Sequence, residues 1–113
     1  MLFGQSLGGA IAERAARDIS LPISKVVAVV TPHSRFTKKL PSNVECINLY
    51  SPSDNYLRFA SNLLYAGAGA TSVPWARNIS LPGLHHSDFT YNREIEVNDT
   101  QRRLFDFYKE LVA

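Results

Sequence analysis

KVVAVV, residues 25–30, is the stretch on which the fold turns. After Lys25 it is four valines and an alanine with no polar residue between them. A strand with one wet face alternates apolar and polar residues, whereas an unbroken β-branched run suits a strand covered on both faces, as in a parallel sheet. Such a strand needs helices on each side of it. On the N-terminal side, beyond Pro22, LGGAIAERAARD at 7–18 supplies one. Its Ile11, Ala15 and Ala16 can share a face, with Glu13, Arg14 and Arg17 around the rest, and its small side chains permit close approach to a sheet.

On the C-terminal side, TPHSRFTKKLPSN at 31–43 reads as a loop, with at most one short helical turn, and VECINLYS at 44–51 as a second strand. SPSDN is a polar turn directly after it. The spacing of Leu57, Phe59, Ala60 and Leu64 predicts a short helix over 56–65, broken by AGAGATS, and ARNISL at 76–81 predicts a third strand. LPGLHHSDFTYN is another strand-to-loop passage. A closing helix is expected over 98–111, capped by Asn98 or Asp99, with Leu104, Phe105, Tyr108, Leu111 and Val112 as its apolar stripe. Alternating β and α elements of this kind give an α/β fold with a mostly parallel sheet and flanking helices.

With 113 residues there is room for one domain, residues 1–113, and 45% hydrophobic side chains are enough for a core. Twelve Lys and Arg against ten Asp and Glu leave a net charge of +2, too small for a nucleic-acid footprint. The cluster Arg35, Lys38, Lys39 reads as a solvated loop. No apolar run approaches the roughly 20 residues of a transmembrane helix, and MLFGQSLGG lacks the basic lead and apolar core of a secretion signal. The single cysteine, Cys46, excludes an internal disulfide and reads as strand packing. The compartment stays open, with the cytoplasm favoured.

The strongest local signal is GQSLGG at 4–9, a Gly-x-Ser-x-Gly pattern around Ser6. A serine on a tight strand-to-helix turn has its Oγ lifted toward a substrate, and Gly4 and Gly8 let neighbouring backbone cross close by. The helix that follows presents unpaired N–H groups to the negative charge that develops on an attacked carbonyl, Leu7 N–H first among them. The bland reading is a Gly-rich helix start. Asp54, just past a strand end, could orient a histidine, or could merely cap its own turn. His86 is the candidate base, with His85 beside it; side chains of adjacent residues diverge, so one at most faces Ser6. Asp88 is the rival acid, but it lies two residues from His86 and would share its loop. His33 reads as a residue lining the site or propping the 31–43 loop. No His spacing, HExxH run, Gly-rich phosphate loop or marked carboxylate pair calls for a metal, a nucleotide cofactor or glycosidase chemistry.

Taken together, GQSLGG at 4–9, TPHS at 31–34, SPSDN at 51–55 and LPGLHHSDF at 81–89 resemble the C-terminal half of an α/β-hydrolase of the esterase and lipase type. The resemblance implies Ser6 as nucleophile, Asp54 as acid and His86 as base, His86 being preferred over His85 because His86-Ser87 falls on the last two positions of a Gly-His-Ser pattern common there. It implies a carboxylic ester or other acyl substrate, an acyl-enzyme and no cofactor. Tyr56, Phe59, Leu63, Leu64, Tyr65 and Trp75, with His33, are candidates for an acyl pocket, or else for sheet-covering core. Only Met1–Phe3 precede the elbow, so the resemblance also implies missing N-terminal strands, a missing second oxyanion donor and weak catalysis by the isolated chain. A three-stranded sheet left over would expose an apolar edge, favouring a homo-oligomer or an N-terminal partner. Two other functions fit the same residues: a non-catalytic fragment that pairs through that edge, and acyl transfer to an alcohol or thiol.

Overall fold

The computed structural model describes residues 1–19, 22–33, 37–57, 59 and 72–113. Four strands, β1 (Leu2–Gln5), β2 (Lys25–Val29), β3 (Glu45–Tyr50) and β4 (Arg77–Ser80), form one parallel sheet in the order β1-β2-β3-β4. Helix α1 (Leu7–Asp18) follows β1 directly. A 3₁₀ turn (His86–Thr90), an antiparallel hairpin of β5 (Glu94–Val97) and β6 (Thr100–Arg103), and α2 (Leu104–Val112) complete the chain. The registers Gly4 with Ala28, Ala28 with Asn48, and Asn48 with Asn78 align the carboxyl ends of all four strands along one side of the sheet.

β2 is buried along its length beyond Lys25, because the sheet is covered on both faces. Its side chains divide with period two. Val26 and Cys46 pack with Ala12 and Ala16 of α1, while Val27, Val29, Ile47 and Leu49 pack with Leu104, Phe107 and Leu111 of α2, and with Phe89 and Ile95. Alanine and glycine on the sheet side of α1 leave little space between helix and strand. On the opposite face, leucine and phenylalanine fill a thicker layer. Burial raises the Cys46 thiol to about 12, so it stays a protonated packing group.

The structure departs from the sequence expectations in four places. β1 is a fourth strand, four residues long, beside the three that the sequence predicts; its Leu2–Gln5 backbone pairs with Val26–Val29. The closing helix begins at Leu104 rather than residue 98. Asn98 and Asp99 have φ of 51° and 62° and make the two-residue turn of the β5–β6 hairpin, a conformation these residues tolerate better than most. Within α2 the buried residues are Leu104, Phe107 and Leu111, and Phe105 is exposed. Within α1, Ile11 is exposed and Glu13 is buried, the reverse of the simple amphipathic assignment. The helix expected over 56–65 lies largely outside the described residues, as do Leu63, Leu64, Tyr65 and Arg35; residues 55–57 and 59 are helical. Among the described residues no helix is long and apolar enough to cross a membrane.

Candidate active site

Ser6 directly follows β1 and caps α1, with φ 54° and ψ −126°. A positive φ at a residue with a side chain costs on the order of 1–3 kcal/mol and persists only where the surroundings enforce it. Two backbone hydrogen bonds enforce it here. Ser6 N–H donates to Val29 O at 2.8 Å, extending the β1–β2 ladder by one residue, and Ser6 O accepts from Gly9 N–H at 3.0 Å, starting the helix. Gly4 and Gly9 also allow the chain to fold back on itself: a Cβ on Gly4 would lie 2.2 Å from Gly8 O, and one on Gly9 would lie 1.7 Å from Thr31 Oγ1. Gly8 has open space around it, so the steric demand falls on Gly4 and Gly9 rather than on Gly4 and Gly8.

A serine in the cap position ordinarily turns its hydroxyl onto the N–H groups of the first helical turn. Ser6 makes no such bond. Its Oγ lies 2.8 Å from His86 Nε2, and His86 Nδ1 lies 2.7 Å from Asp54 Oδ2. The carboxylate can only accept, so Nδ1 carries the hydrogen, and Nε2 is left to accept the proton of Ser6 Oγ. Ser6 follows β1, Asp54 follows β3 and His86 follows β4, so the three arrive from different strands at the same end of the sheet.

Asp54 is fully buried, whereas the His86 side chain retains 21% exposure. A buried carboxylate has to be compensated. Its second oxygen, Oδ1, accepts Leu57 N–H at 2.8 Å, so Asp54 caps the turn at 55–57 and orients His86 at once. Two serines that the sequence reading passed over secure this half of the site. Ser51 Oγ–H donates to Leu84 O at 2.6 Å within the interior, and Ser53 Oγ accepts Gly83 N–H at 3.0 Å. Together they strap the acid turn to the loop that carries His86. The available signal was a pair of hydroxyls around Pro52, immediately ahead of a carboxylate. From α2, Tyr108 O–H donates to Phe89 O at 2.8 Å and steadies the turn that begins at His86. Burial raises the Tyr108 phenol well above its ordinary value.

The remaining candidates fall in different places. His85 is exposed, and Asp88 is occupied with His85 N–H at 2.8 Å and Arg93 at 2.7 Å. Tyr56 lies against the His86 ring, with centroids 4.8 Å apart, and with Asn55, His85 and Ser87 lines a shallow depression of about 310 Å³. Phe59 is exposed. His33 and Trp75 do not line this depression: His33 is buried against Glu13 of α1, and Trp75 stands nearly perpendicular to its ring, with centroids 5.8 Å apart, and packs with the α1-side core. The physical reason is that residue 33 follows β2 onto the α1 face of the sheet, where a buried carboxylate needs a donor. Leu7 begins α1, and its N–H is one of the first-turn groups that a helix leaves without an intrahelical acceptor. Among the described residues no group of three His, Cys, Asp or Glu could hold a metal ion.

No protein-family model matches the chain, and no curated protein or solved structure matches it either.

Proposed function

We propose that the chain carries the nucleophile, base and acid of an α/β-hydrolase-type serine hydrolase that cleaves carboxylic esters through an acyl-enzyme. The observation that carries this reading is the continuous hydrogen-bonded line from Ser6 through His86 to Asp54, begun by a serine held at positive φ. Ser6 Oγ attacks the ester carbonyl carbon while its proton passes to His86 Nε2. Asp54 keeps the imidazole in the accepting tautomer and stabilises the imidazolium. The carbonyl electrons move onto oxygen, next to Leu7 N–H and the N-terminus of α1. Collapse of this intermediate expels the alkoxide, which takes the proton from His86, and leaves Ser6 acylated. Water then repeats the sequence with His86 as base and releases the acid. An alcohol or thiol in place of water turns the same steps into acyl transfer.

Hydrolysis of a short-chain p-nitrophenyl ester tests this, with Ser6→Ala giving the background. Turnover that disappears in Ser6→Ala supports the reading; equal slow rates in both chains argue against it.

A second reading rests on the edge strand. Among the described residues β1 pairs only with β2, and Phe3 is 42% exposed beside the apolar surface of Tyr108 and Phe105. An edge of this kind recruits another strand. Light scattering that finds a concentration-dependent dimer or larger species favours such pairing, and a concentration-independent monomer removes it.

A further inference from the structure

Glu13 and His33 are each about 1% exposed and belong to neither the serine line nor the hydrophobic clusters. His33 Nε2 lies 2.7 Å from Glu13 Oε2 and 3.1 Å from Oε1. Because a carboxylate only accepts, Nε2 carries the hydrogen. Among the described residues His33 Nδ1 has no hydrogen-bond partner, so the directional hold on this ring comes from Glu13 alone, with Trp75 packed at its edge. An ionisable pair this deeply buried is not the cheapest way to hold a helix to a sheet, since apolar side chains of similar size usually do as well or better. What the pair adds is direction: it fixes how α1 is rotated and how far it is advanced along its axis.

Both ends of the pair lead to Ser6. Glu13 lies on α1, whose first residue supplies Leu7 N–H and whose cap is Ser6. His33 lies two residues after Thr31, whose hydroxyl oxygen occupies the space that any side chain on Gly9 would need. The pair therefore spans the same two segments, the start of α1 and the end of β2, whose contact holds the Ser6 turn. We propose that Glu13 and His33 are positioning residues for the Ser6 elbow: their bond sets the placement of α1 that aims Ser6 Oγ at His86 and Leu7 N–H at the developing oxyanion. This rests on the hydrolase reading for its catalytic consequence, though not for its structural one.

The test uses the whole chain and the variants Glu13→Gln, Glu13→Ala and the double variant Glu13→Leu/His33→Leu. Three quantities are compared: thermal unfolding, the backbone amide resonances of Ser6, Leu7, Gly8 and Gly9, and the rate of Ser6 phosphonylation by a fluorophosphonate. The double variant should fold cooperatively with an unchanged or higher Tm, yet show displaced amide resonances at 6–9 and phosphonylate at least tenfold more slowly. Glu13→Ala should show the same displacement and slowing, and Glu13→Gln, whose amide oxygen still accepts from His33, should recover to within about threefold of the wild type. A folded double variant with unmoved resonances at 6–9 and the wild-type rate overturns the proposal, as does a double variant that no longer folds, because the pair would then serve stability alone. If wild-type Ser6 resists the probe entirely, the hydrolase reading fails, and the amide resonances by themselves decide whether the pair places the elbow.

Discussion

The two halves of the site are built differently. Asp54 and His86 are reached from β3, an interior strand, and from β4 beside it, and Ser51, Ser53 and the buried carboxylate bind their loops to one another. Ser6 directly follows β1, which like β4 is an edge strand with one neighbour among the described residues, and depends on glycine contacts and on the attachment of α1. Asp54 and His86 are thus fixed by polar bonds around one buried carboxylate. The serine is fixed by close packing at the margin of the sheet. Disturbing the first half should alter how His86 is held with the fold intact, whereas disturbing the second should move Ser6 itself.

The largest effect is expected from Asp54→Asn. The amide keeps the side chain's size and can still accept Leu57 N–H, so unfolding should shift little. It no longer holds His86 in the accepting tautomer, and acylation should fall by a factor on the order of 10⁴. Stopped-flow or quench measurement of phosphonylation checks this, and a loss under tenfold would mean that Asp54 is only a turn cap. The serine half is probed by Gly9→Ala against Gly8→Ala. The first must displace Thr31 and should cost about 1–3 kcal/mol of stability by overpacking. The second meets nothing within 4 Å and should leave stability unchanged or raise it by up to about 1 kcal/mol. Equal effects in urea unfolding would contradict the tight crossing assigned to Gly9.

Ser51→Ala leaves Leu84 O buried without its donor, at a cost of about 1–3 kcal/mol. If the strap matters to the site, the acylation rate falls as well, and Ser51→Thr restores part of it. The smallest effect lies away from the site. Arg102 holds the Glu110 carboxyl below the usual carboxylate range through a side-chain hydrogen bond. An acid lowered in this way contributes stability that is complete above the ordinary glutamate range and is lost as pH falls through the folded-state value. The pair is solvent-exposed, so Glu110→Gln should remove only a shallow part of the acid-side decline in Tm, and a large change would show that the pair is structural.

Much of this arrangement was legible in the sequence, for reasons that differ by residue. The unbroken valines at 26–27 and 29–30 identify a strand covered on both faces, and the chain order of Ser6, Asp54 and His86 at successive strand ends is visible without coordinates. Residues that depend on distant partners were not legible. Glu13 reads as a solvated helix position because nothing near it in sequence shows that His33, 20 residues on, meets it in the interior. Ser51 and Ser53 read as turn polarity because Leu84 and Gly83 arrive from beyond β4. Asn98 and Asp99 are good cap residues and equally good hairpin-turn residues, and only the pairing of Glu94–Val97 with Thr100–Arg103 separates the two. Ile11 shows the same limit: helical periodicity gives a face, but which face meets the sheet is settled by Gly9 and Ala12 fitting where isoleucine does not.

The central claim is that Ser6 is an activated nucleophile. Intact mass and peptide mapping after exposure of the folded chain to a fluorophosphonate test it most directly. The account predicts one phosphonyl adduct, located on Ser6, absent in Ser6→Ala and strongly slowed in His86→Ala. A cooperatively folded chain that acquires no adduct, or acquires it on another residue at a rate indifferent to His86, would contradict it.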